Sequence, residues 1–311
     1  MKKFAVGADI GGSHISCALI DMVDGSAQKE SLAEVPVDNK ASAEVILNSW
    51  VTALKKSISK IQSNQLCGIG FAMPGPFDYE KGIALFERVD KYEGLYGVNV
   101  TSQISNLMGF SAGLPIRFMN DASAFAVGEA WIGKAAGHKK SIALTLGTGF
   151  GSAFIEAGLP VLEREDVPKL GCVWHLPYKD GIADDYFSTR WYIKSYATKT
   201  GNSLPGVREI AELASKGDKD AISLFNEFGN NLGEFLGTWI KSFGAEVIVI
   251  GGNMTGAYNL FGLSLQAAFE KQKINVETHL SELKEDAAII GSARLIDDTF
   301  WEKIKPLLSK M

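Results

Sequence analysis

Two segments far apart in the chain share the order strand, glycine turn, strand. In the first, Gly11-Gly12-Ser13 lies between the apolar runs Phe4–Ala8 and Ile15–Ile20. In the second, Gly147-Thr148-Gly149 lies between two further apolar runs. Each pattern predicts a β-hairpin. Because the two copies differ too much for a repeat array, they predict two related α/β domains that each open with a glycine hairpin.

Glycine turns of this kind can bind phosphate groups. Glycine permits positive φ and a close approach of ligands, and successive backbone N–H groups in such a turn form an anion-binding concavity. A third glycine pair, Gly251-Gly252, follows the apolar run Val247–Ile250. Any one of these turns is equally well explained as a tight hairpin or a strand end. Three of them at strand ends favour nucleotide binding.

Two common nucleotide-binding folds do not fit these turns. A Walker loop needs Gly-Lys-Ser/Thr, and this tripeptide does not occur in the chain. A dinucleotide fingerprint needs Gly-x-Gly-x-x-Gly at the start of a helix. Here Ser152 stands at the last position after Gly147 and Gly149, and the residues that follow favour a strand.

Two aspartates follow predicted strands. Asp9 precedes the first glycine turn, where a carboxylate can hold Mg²⁺ through water or a phosphate, or can simply cap the turn. Asp121 follows the short apolar strand 115–119 and opens a predicted helix over 122–133. It can cap that helix, or it can accept a proton from a hydroxyl that attacks a phosphoryl group. The two roles of Asp121 are compatible.

Composition excludes several classes of protein. The chain has 311 residues with 31 Lys and Arg against 36 Asp and Glu, and its net charge of −5 argues against a nucleic-acid partner. Its three cysteines lie far apart and form no Cys-x-x-Cys pair. No apolar run approaches the roughly 18 residues of a membrane span. We therefore expect a cytoplasmic protein without a membrane partner. Apolar periodicity also predicts helices over 42–59, 185–199 and 222–243.

Five segments, in this order and spacing, resemble the ROK family of sugar kinases, within the actin/hexokinase/Hsp70-like superfamily. No single motif carries the resemblance, but the set is specific. The segments are Asp9-Ile10-Gly11-Gly12-Ser13, Gly70-Phe71-Ala72-Met73-Pro74-Gly75-Pro76, Asn120-Asp121-Ala122-Ser123-Ala124, Leu146-Gly147-Thr148-Gly149-Phe150-Gly151 and Gly251-Gly252-Asn253.

The resemblance implies a two-domain α/β protein of the actin-like ATPase (ribonuclease H-like) fold with a cleft between the domains. It implies a smaller domain over 1–117 plus about 297–311, and a larger domain over 118–296. It further implies ATP-dependent phosphorylation of a sugar hydroxyl, and a homodimer is an expectation from the family alone. The donor would be ATP with Mg²⁺.

The resemblance also assigns roles to residues. Asp121 is the expected general base, and Asn120, His175 and Gly75 are expected to bind the sugar. Asp9 is expected to hold Mg²⁺ through water or phosphate. The residues expected to bind the nucleotide are Gly11, Gly12, Ser13, Gly147, Thr148, Gly149, Gly251 and Gly252.

One segment departs from the family pattern. Gly171-Cys172-Val173-Trp174-His175 stands where many members have Gly-Glu-x-Gly-His, so Cys172 replaces a glutamate and Trp174 a glycine. The three-cysteine segment that often follows in the family is missing, and we expect no zinc site. The departure leaves open whether the substrate is a hexose or an N-acetylhexosamine. It also keeps the alternative of a catalytically weak or inactive protein that senses a sugar or nucleotide.

Overall fold

The computed structural model describes residues 3–110 and 113–311. The strands are β1 (Phe4–Ile10), β2 (His14–Asp21), β3 (Ala33–Pro36), β4 (Leu66–Met73), β5 (Phe77–Asp78), β6 (Ile83–Ala84), β7 (Ile116–Asn120), β8 (Lys140–Leu146), β9 (Phe150–Glu156), β10 (Leu159–Pro160), β11 (Pro177–Tyr178), β12 (Gly181–Ile182), β13 (Val247–Gly251) and β14 (Glu277–Leu280). The α-helices are α1 (Ala43–Ile58), α2 (Val100–Met108), α3 (Asp121–Ile132), α4 (Ala183–Tyr186), α5 (Thr189–Thr200), α6 (Val207–Ser215), α7 (Lys219–Phe243), α8 (Tyr258–Lys271), α9 (Asp286–Ala293) and α10 (Asp298–Ile304).

The chain divides into two compact units, each with its own sheet. The first unit holds the residues up to 136 together with 158–160 and 285–311, and the second holds 137–157 and 161–284. These limits differ from the predicted boundaries at 117 and 297. The reason is packing, because α3 and α9 lie against each other and α9 also lies on β1 and β4. A boundary at 117 would separate α3 from its own sheet.

The sheet of the first unit has the order β3-β2-β1-β4-β7. Strands β1 and β2 form the predicted antiparallel hairpin around the first glycine turn. Strands β1, β4 and β7 are parallel, with Asp9 opposite Ala72 and Met73 opposite Asn120. Because parallel strands end at the same edge of a sheet, three of the predicted motifs meet there. This edge carries the residues of the candidate site.

Glycines allow α9 to approach this sheet closely. A Cβ atom added to Gly7 would lie 1.9 Å from the carbonyl oxygen of Ile289, and one added to Gly70 would lie 1.8 Å from that of Ser292. Such contacts are far shorter than van der Waals distances. Gly70 belongs to one of the motifs that suggested the family, and here it is needed for helix–sheet packing.

The second unit contains the other predicted hairpin, formed by β8 and β9 around Gly147-Thr148-Gly149. Its sheet has β9, β8, β13 and β14 side by side, with β13 parallel to both β8 and β14. Strand β14 was not predicted. The prediction of one helix over 185–199 was wrong, because the chain breaks between α4 and α5 at Phe187 and Ser188. Phe187 is fully buried there, and the break lets a new helix begin at Thr189.

Candidate active site

Asn120 and Asp121 stand at the end of β7, where α3 begins. The Asn120 side chain is the helix cap, since its Oδ1 accepts a hydrogen bond from the Ser123 N–H at 3.1 Å. The capping role that the sequence allowed for Asp121 therefore belongs to its neighbour. The Asp121 carboxylate is left for other interactions.

One oxygen of the Asp121 carboxylate is fixed by two donors. Oδ1 accepts hydrogen bonds from the Ala122 N–H at 2.8 Å and from Nδ2 of Asn120 at 2.9 Å. Oδ2 has no hydrogen-bond or ion-pair partner among the described residues. The side chain is half-buried, so this oxygen is both oriented and available to accept a proton.

Asp9 lies in an acidic environment at the same edge of the sheet. Burial, together with the smaller effect of the charges of Asp121 and Glu285, raises the pKa of Asp9 from 3.8 to about 7. No cationic side chain in residues 3–110 and 113–311 forms an ion pair with Asp9. A carboxylate in this position has a high free energy when ionised, and a bound cation would lower it.

The carbonyl groups of the first glycine turn are held by hydrogen bonds from two side chains. The Tyr92 hydroxyl donates to the Gly11 carbonyl, and the Asn39 side-chain amide donates to the Gly12 carbonyl. In a trans peptide unit, the C=O and the following N–H point in opposite directions. The N–H groups of Gly12 and Ser13 therefore point away from these side chains, and neither has an acceptor within the described part of the chain. Two consecutive free N–H groups form an anion-binding concavity.

Sequence analysis missed Tyr92, Asn39 and Tyr79. The buried Tyr79 hydroxyl donates to the Met73 carbonyl at 3.0 Å, and a Cβ added to Gly75 would lie 3.5 Å from it. Burial and the nearby charge of Asp121 hold the pKa of Tyr79 well above its usual range. Tyr79 thus braces the turn that carries Gly75. The signal was present in the sequence, as an aromatic residue three positions after Gly75-Pro76, but it resembles ordinary core.

The second glycine turn is tied in the same way by different groups. The Gly147 carbonyl accepts from the Thr189 N–H at 2.9 Å, at the start of α5, and the Thr148 carbonyl accepts from Nη1 of Arg190 at 2.7 Å. The N–H groups of Thr148 and Gly149 have no acceptor in the regions that the structure describes. They too form a concavity that fits an anion.

Asp184 holds this second turn in place. Its Oδ1 accepts from the Phe150 N–H at 2.7 Å, and its Oδ2 pairs with Arg190. Its backbone N–H donates to the Trp174 carbonyl at 3.0 Å. Asp184 therefore connects the glycine turn with the segment that carries His175.

The third glycine pair lies beside the second turn. Gly251 pairs with Thr145 across β13 and β8, and a Cβ added to Gly252 would lie 2.3 Å from the Leu146 carbonyl oxygen. Gly252 also has a φ of +86°, which favours glycine. Both observations explain why glycine is needed at 252.

The structure thus places the predicted site residues in two groups. Asp9, the first turn, Gly75, Asn120 and Asp121 belong to the first unit, and the second and third turns with His175 belong to the second. In residues 3–110 and 113–311, no three His, Cys, Asp or Glu side chains form a group that could hold a metal ion. Within those residues, no helix is both long and apolar enough to cross a membrane.

Comparison with known proteins connects this geometry to a family. The chain is 27% identical over 324 residues to a glucokinase of Thermotoga maritima, covering 96% of this chain and 98% of the relative. It is 26% identical over 270 residues to an N-acetyl-D-glucosamine kinase of Haemophilus influenzae, covering 80% of this chain and 84% of the relative. A xylose repressor of Caldicellulosiruptor bescii is 23% identical, over 94% of this chain and 77% of the relative.

The fold agrees with these relatives. The structure of a ROK family glucokinase from Streptomyces griseus, solved with glucose and AMPPNP, matches with a TM-score of 0.73 at 22% identity, over 94% of this chain and 98% of the other. The chain therefore has the α/β fold of the actin-like ATPases. The sequence profile of the ROK family matches residues 5–162 and 179–299, which is most of the chain. The chain belongs to the ROK family.

Proposed function

We propose that this protein transfers the γ-phosphate of ATP to a hydroxyl of a hexose or an N-acetylhexosamine. Relatives named as kinases for both sugar classes support the general reaction. The observation that carries the proposal is the carboxylate of Asp121, with one oxygen fixed by two donors and the other without a partner in the described residues. A sugar kinase needs such a group, whereas an ATPase without a sugar substrate does not.

Asp121 would act as the general base. Its free Oδ2 accepts the proton of the attacking hydroxyl, while Oδ1 stays bound to Asn120 and Ala122. Asn120 and the turn at Gly75 adjoin this carboxylate on the same sheet edge, and we assign them to sugar binding. We assign His175, in the second unit, to the same substrate.

The glycine turns would bind the phosphates of ATP through their free N–H groups. Catalysis of phosphoryl transfer depends mainly on such positioning and electrostatic stabilisation. The first turn supplies the N–H groups of Gly12 and Ser13, and the second supplies those of Thr148 and Gly149. Gly251 and Gly252 lie beside the second turn and would approach the nucleotide there.

The residues near Asp9 fit a magnesium ion. Asp9 is a half-buried carboxylate beside two other acids, and no cationic partner is found for it within the described residues. Mg²⁺ prefers few carboxylates together with waters and phosphate oxygens, which agrees with one protein ligand here. When bound, Mg²⁺ would neutralise phosphate charge. Asp9 would hold it through water or phosphate.

The test measures ADP release with Mg-ATP over a panel of hexoses, amino sugars and N-acetylhexosamines. With the preferred sugar, Asp121→Asn should lower kcat by a factor of about 10² to 10⁴ and leave the KM for MgATP nearly unchanged, because the lost group accepts the proton. Asp24→Asn is the matched control, since this exposed acid only accepts a turn hydrogen bond from Ser26. Equal activity of Asp121→Asn and wild type would refute the base.

A second candidate function is sugar or nucleotide sensing with little or no turnover. A xylose repressor among the relatives and the replacements at Cys172 and Trp174 favour it. Calorimetry separates the two functions. Sugar or ATP binding without ADP release from any sugar of the panel would favour the sensor.

A further inference from the structure

The side chains of Cys172, Trp174 and His175 form a connected group in the second unit. Sγ of Cys172 lies 3.7 Å from Nδ1 of His175. The Trp174 ring lies edge-on to the imidazole, with the centroids 5.4 Å apart. The two replacements in the family pattern therefore both contact His175, which matches the pattern.

The backbone of this segment is held in place. The Val173 N–H donates to Oγ of the buried Ser152 at 2.9 Å, and the Trp174 carbonyl accepts from Asp184. Gly171 has a φ of +61°, and a Cβ there would lie 2.2 Å from the Val161 carbonyl oxygen. Because the backbone is fixed on both sides, the thiol and the imidazole keep their relative positions.

The pKa shifts of Cys172 and His175 indicate which of the two side chains carries a proton that it can donate. Burial raises the pKa of Cys172 to about 11, so the thiol keeps its proton at neutral pH. Burial and the charge of Lys169 lower the pKa of His175, which favours the neutral ring. A neutral imidazole has one donor and one acceptor nitrogen, and sulfur is a weak acceptor. The protonated thiol can therefore donate its hydrogen to an acceptor nitrogen of the ring.

We propose that Cys172 is a positioning residue that donates its thiol hydrogen to Nδ1 of His175 and so fixes the tautomer with the proton on Nε2. Nε2 has no partner among residues 3–110 and 113–311, and it is left as a hydrogen-bond donor. If the proposed function holds, this donor recognises an acceptor oxygen of the sugar. A carboxylate at 172 would accept from Nδ1 instead, and it would turn Nε2 into an acceptor.

The tautomer is measured by NMR on the full chain labelled with ¹⁵N-histidine at pH 8, with the signals of His175 assigned from their loss in His175→Gln. We expect the Nε2–H tautomer in wild type and in Cys172→Ser, which keeps a donor, and a proton on Nδ1 in Cys172→Asp. The unchanged signals of the other three histidines show that each variant is folded. A proton on Nδ1 in wild type, or an unchanged tautomer in Cys172→Asp, would overturn the proposal.

Kinetics tests the link to the sugar. Cys172→Asp should raise the KM for the sugar about three- to tenfold, the range of one lost hydrogen bond, and leave the KM for MgATP within about twofold. Cys172→Ser should stay near wild type. Equal rises in both KM values would overturn the assignment to the sugar. If wild type shows no turnover with any sugar, the proposed function fails while the NMR result still decides the tautomer.

Discussion

The two glycine turns solve the same geometric problem with different chemistry. In both, two successive carbonyl groups are tied from behind and two successive N–H groups are left without a protein acceptor in the described residues. The first turn is tied by the neutral side chains of Tyr92 and Asn39 and adjoins the acid Asp9. The second is tied by a backbone N–H and by the cationic Arg190.

This difference predicts that the two turns bind anions under different conditions. At the second turn the carboxylate of Asp184 is already paired with the guanidinium of Arg190, so an anion can bind to the free N–H groups there without a further cation. The first turn has neutral supports and a neighbouring carboxylate, so an anion there needs a cation to offset the acid. The shared backbone geometry lets both turns bind phosphate, whereas their different surroundings predict that only the first turn needs a metal ion.

Removing the acid of the first turn should have the largest effect. Asp9→Asn should lower kcat by a factor of about 10² or more, because Asp9 is the expected contact to Mg²⁺ and an amide attracts the ion weakly. Turnover is measured with saturating sugar at several Mg²⁺ concentrations. The exposed Asp298→Asn is the control. Retained activity in Asp9→Asn would remove the proposed asymmetry between the turns.

The same substitution should stabilise the ligand-free protein in a pH-dependent manner. Asp9 has a pKa of about 7 when folded and an ordinary value of 3.8 when unfolded, so the folded chain binds the proton more tightly. As pH rises from 4 to 7, the unfolded chain loses this proton first, and wild-type stability falls. Asp9→Asn removes that loss.

Thermal unfolding without Mg²⁺ and nucleotide measures this effect. The unfolding free energy of Asp9→Asn relative to wild type should be higher by about 4 kcal/mol at pH 8 than at pH 4. A difference that is equal at both pH values would show that Asp9 is not desolvated in the folded protein.

The supports of the second turn should have an intermediate effect. Arg190→Gln removes the charge and the donor to the Thr148 carbonyl, so the KM for MgATP should rise about tenfold while the KM for the sugar changes little. Arg208→Gln, on the exposed face of α6 and paired only with Glu212, controls for loss of an arginine charge. If only the KM for the sugar rose, the assignment of the second turn to the nucleotide would be wrong.

These supports explain how far sequence alone could go. Both hairpins, the helices α1 and α7 and the acids at strand ends follow from local periodicity and turn chemistry, and the structure confirms those elements. The partners of the turns come from 27 to 81 residues away, as with Asn39 and Gly12 and with Tyr92 and Gly11. Such contacts depend on tertiary packing, and nothing in the local sequence marks them.

Helix packing limited the prediction of domain limits for a related reason. Gly128 and Gly291 let α3 and α9 approach so closely that an added Cβ would lie 2.0 Å or less from a carbonyl oxygen of the other helix. This pair brings residues 121–132 and 286–293 into the first unit. Small residues at helical spacing occur in many helices, so the contact could not be recognised without its partner.

The neutral supports of the first turn should have the smallest effect. Tyr92→Phe keeps the buried ring against Trp50 and removes only the hydroxyl that donates to the Gly11 carbonyl. One neutral hydrogen bond corresponds to about 0.5 to 1.5 kcal/mol, so kcat/KM for MgATP should fall by roughly threefold to tenfold. Burial of the ring should keep the melting temperature within a few degrees, because a phenylalanine fills the same space.

Two controls separate orientation of the turn from loss of a buried hydroxyl. Tyr96→Phe removes an exposed hydroxyl from the same loop, and Tyr192→Phe removes a buried hydroxyl that has no partner in the described structure. Both should keep wild-type kinetics. If Tyr192→Phe lowers kcat/KM for MgATP as much as Tyr92→Phe does, the effect comes from packing, and the neutral supports do not orient the first turn. If Tyr92→Phe alone lowers kcat/KM for MgATP, the hydrogen bond to the Gly11 carbonyl orients this peptide unit. It thereby controls the direction of the Gly12 N–H, which would bind the ligand on the opposite side.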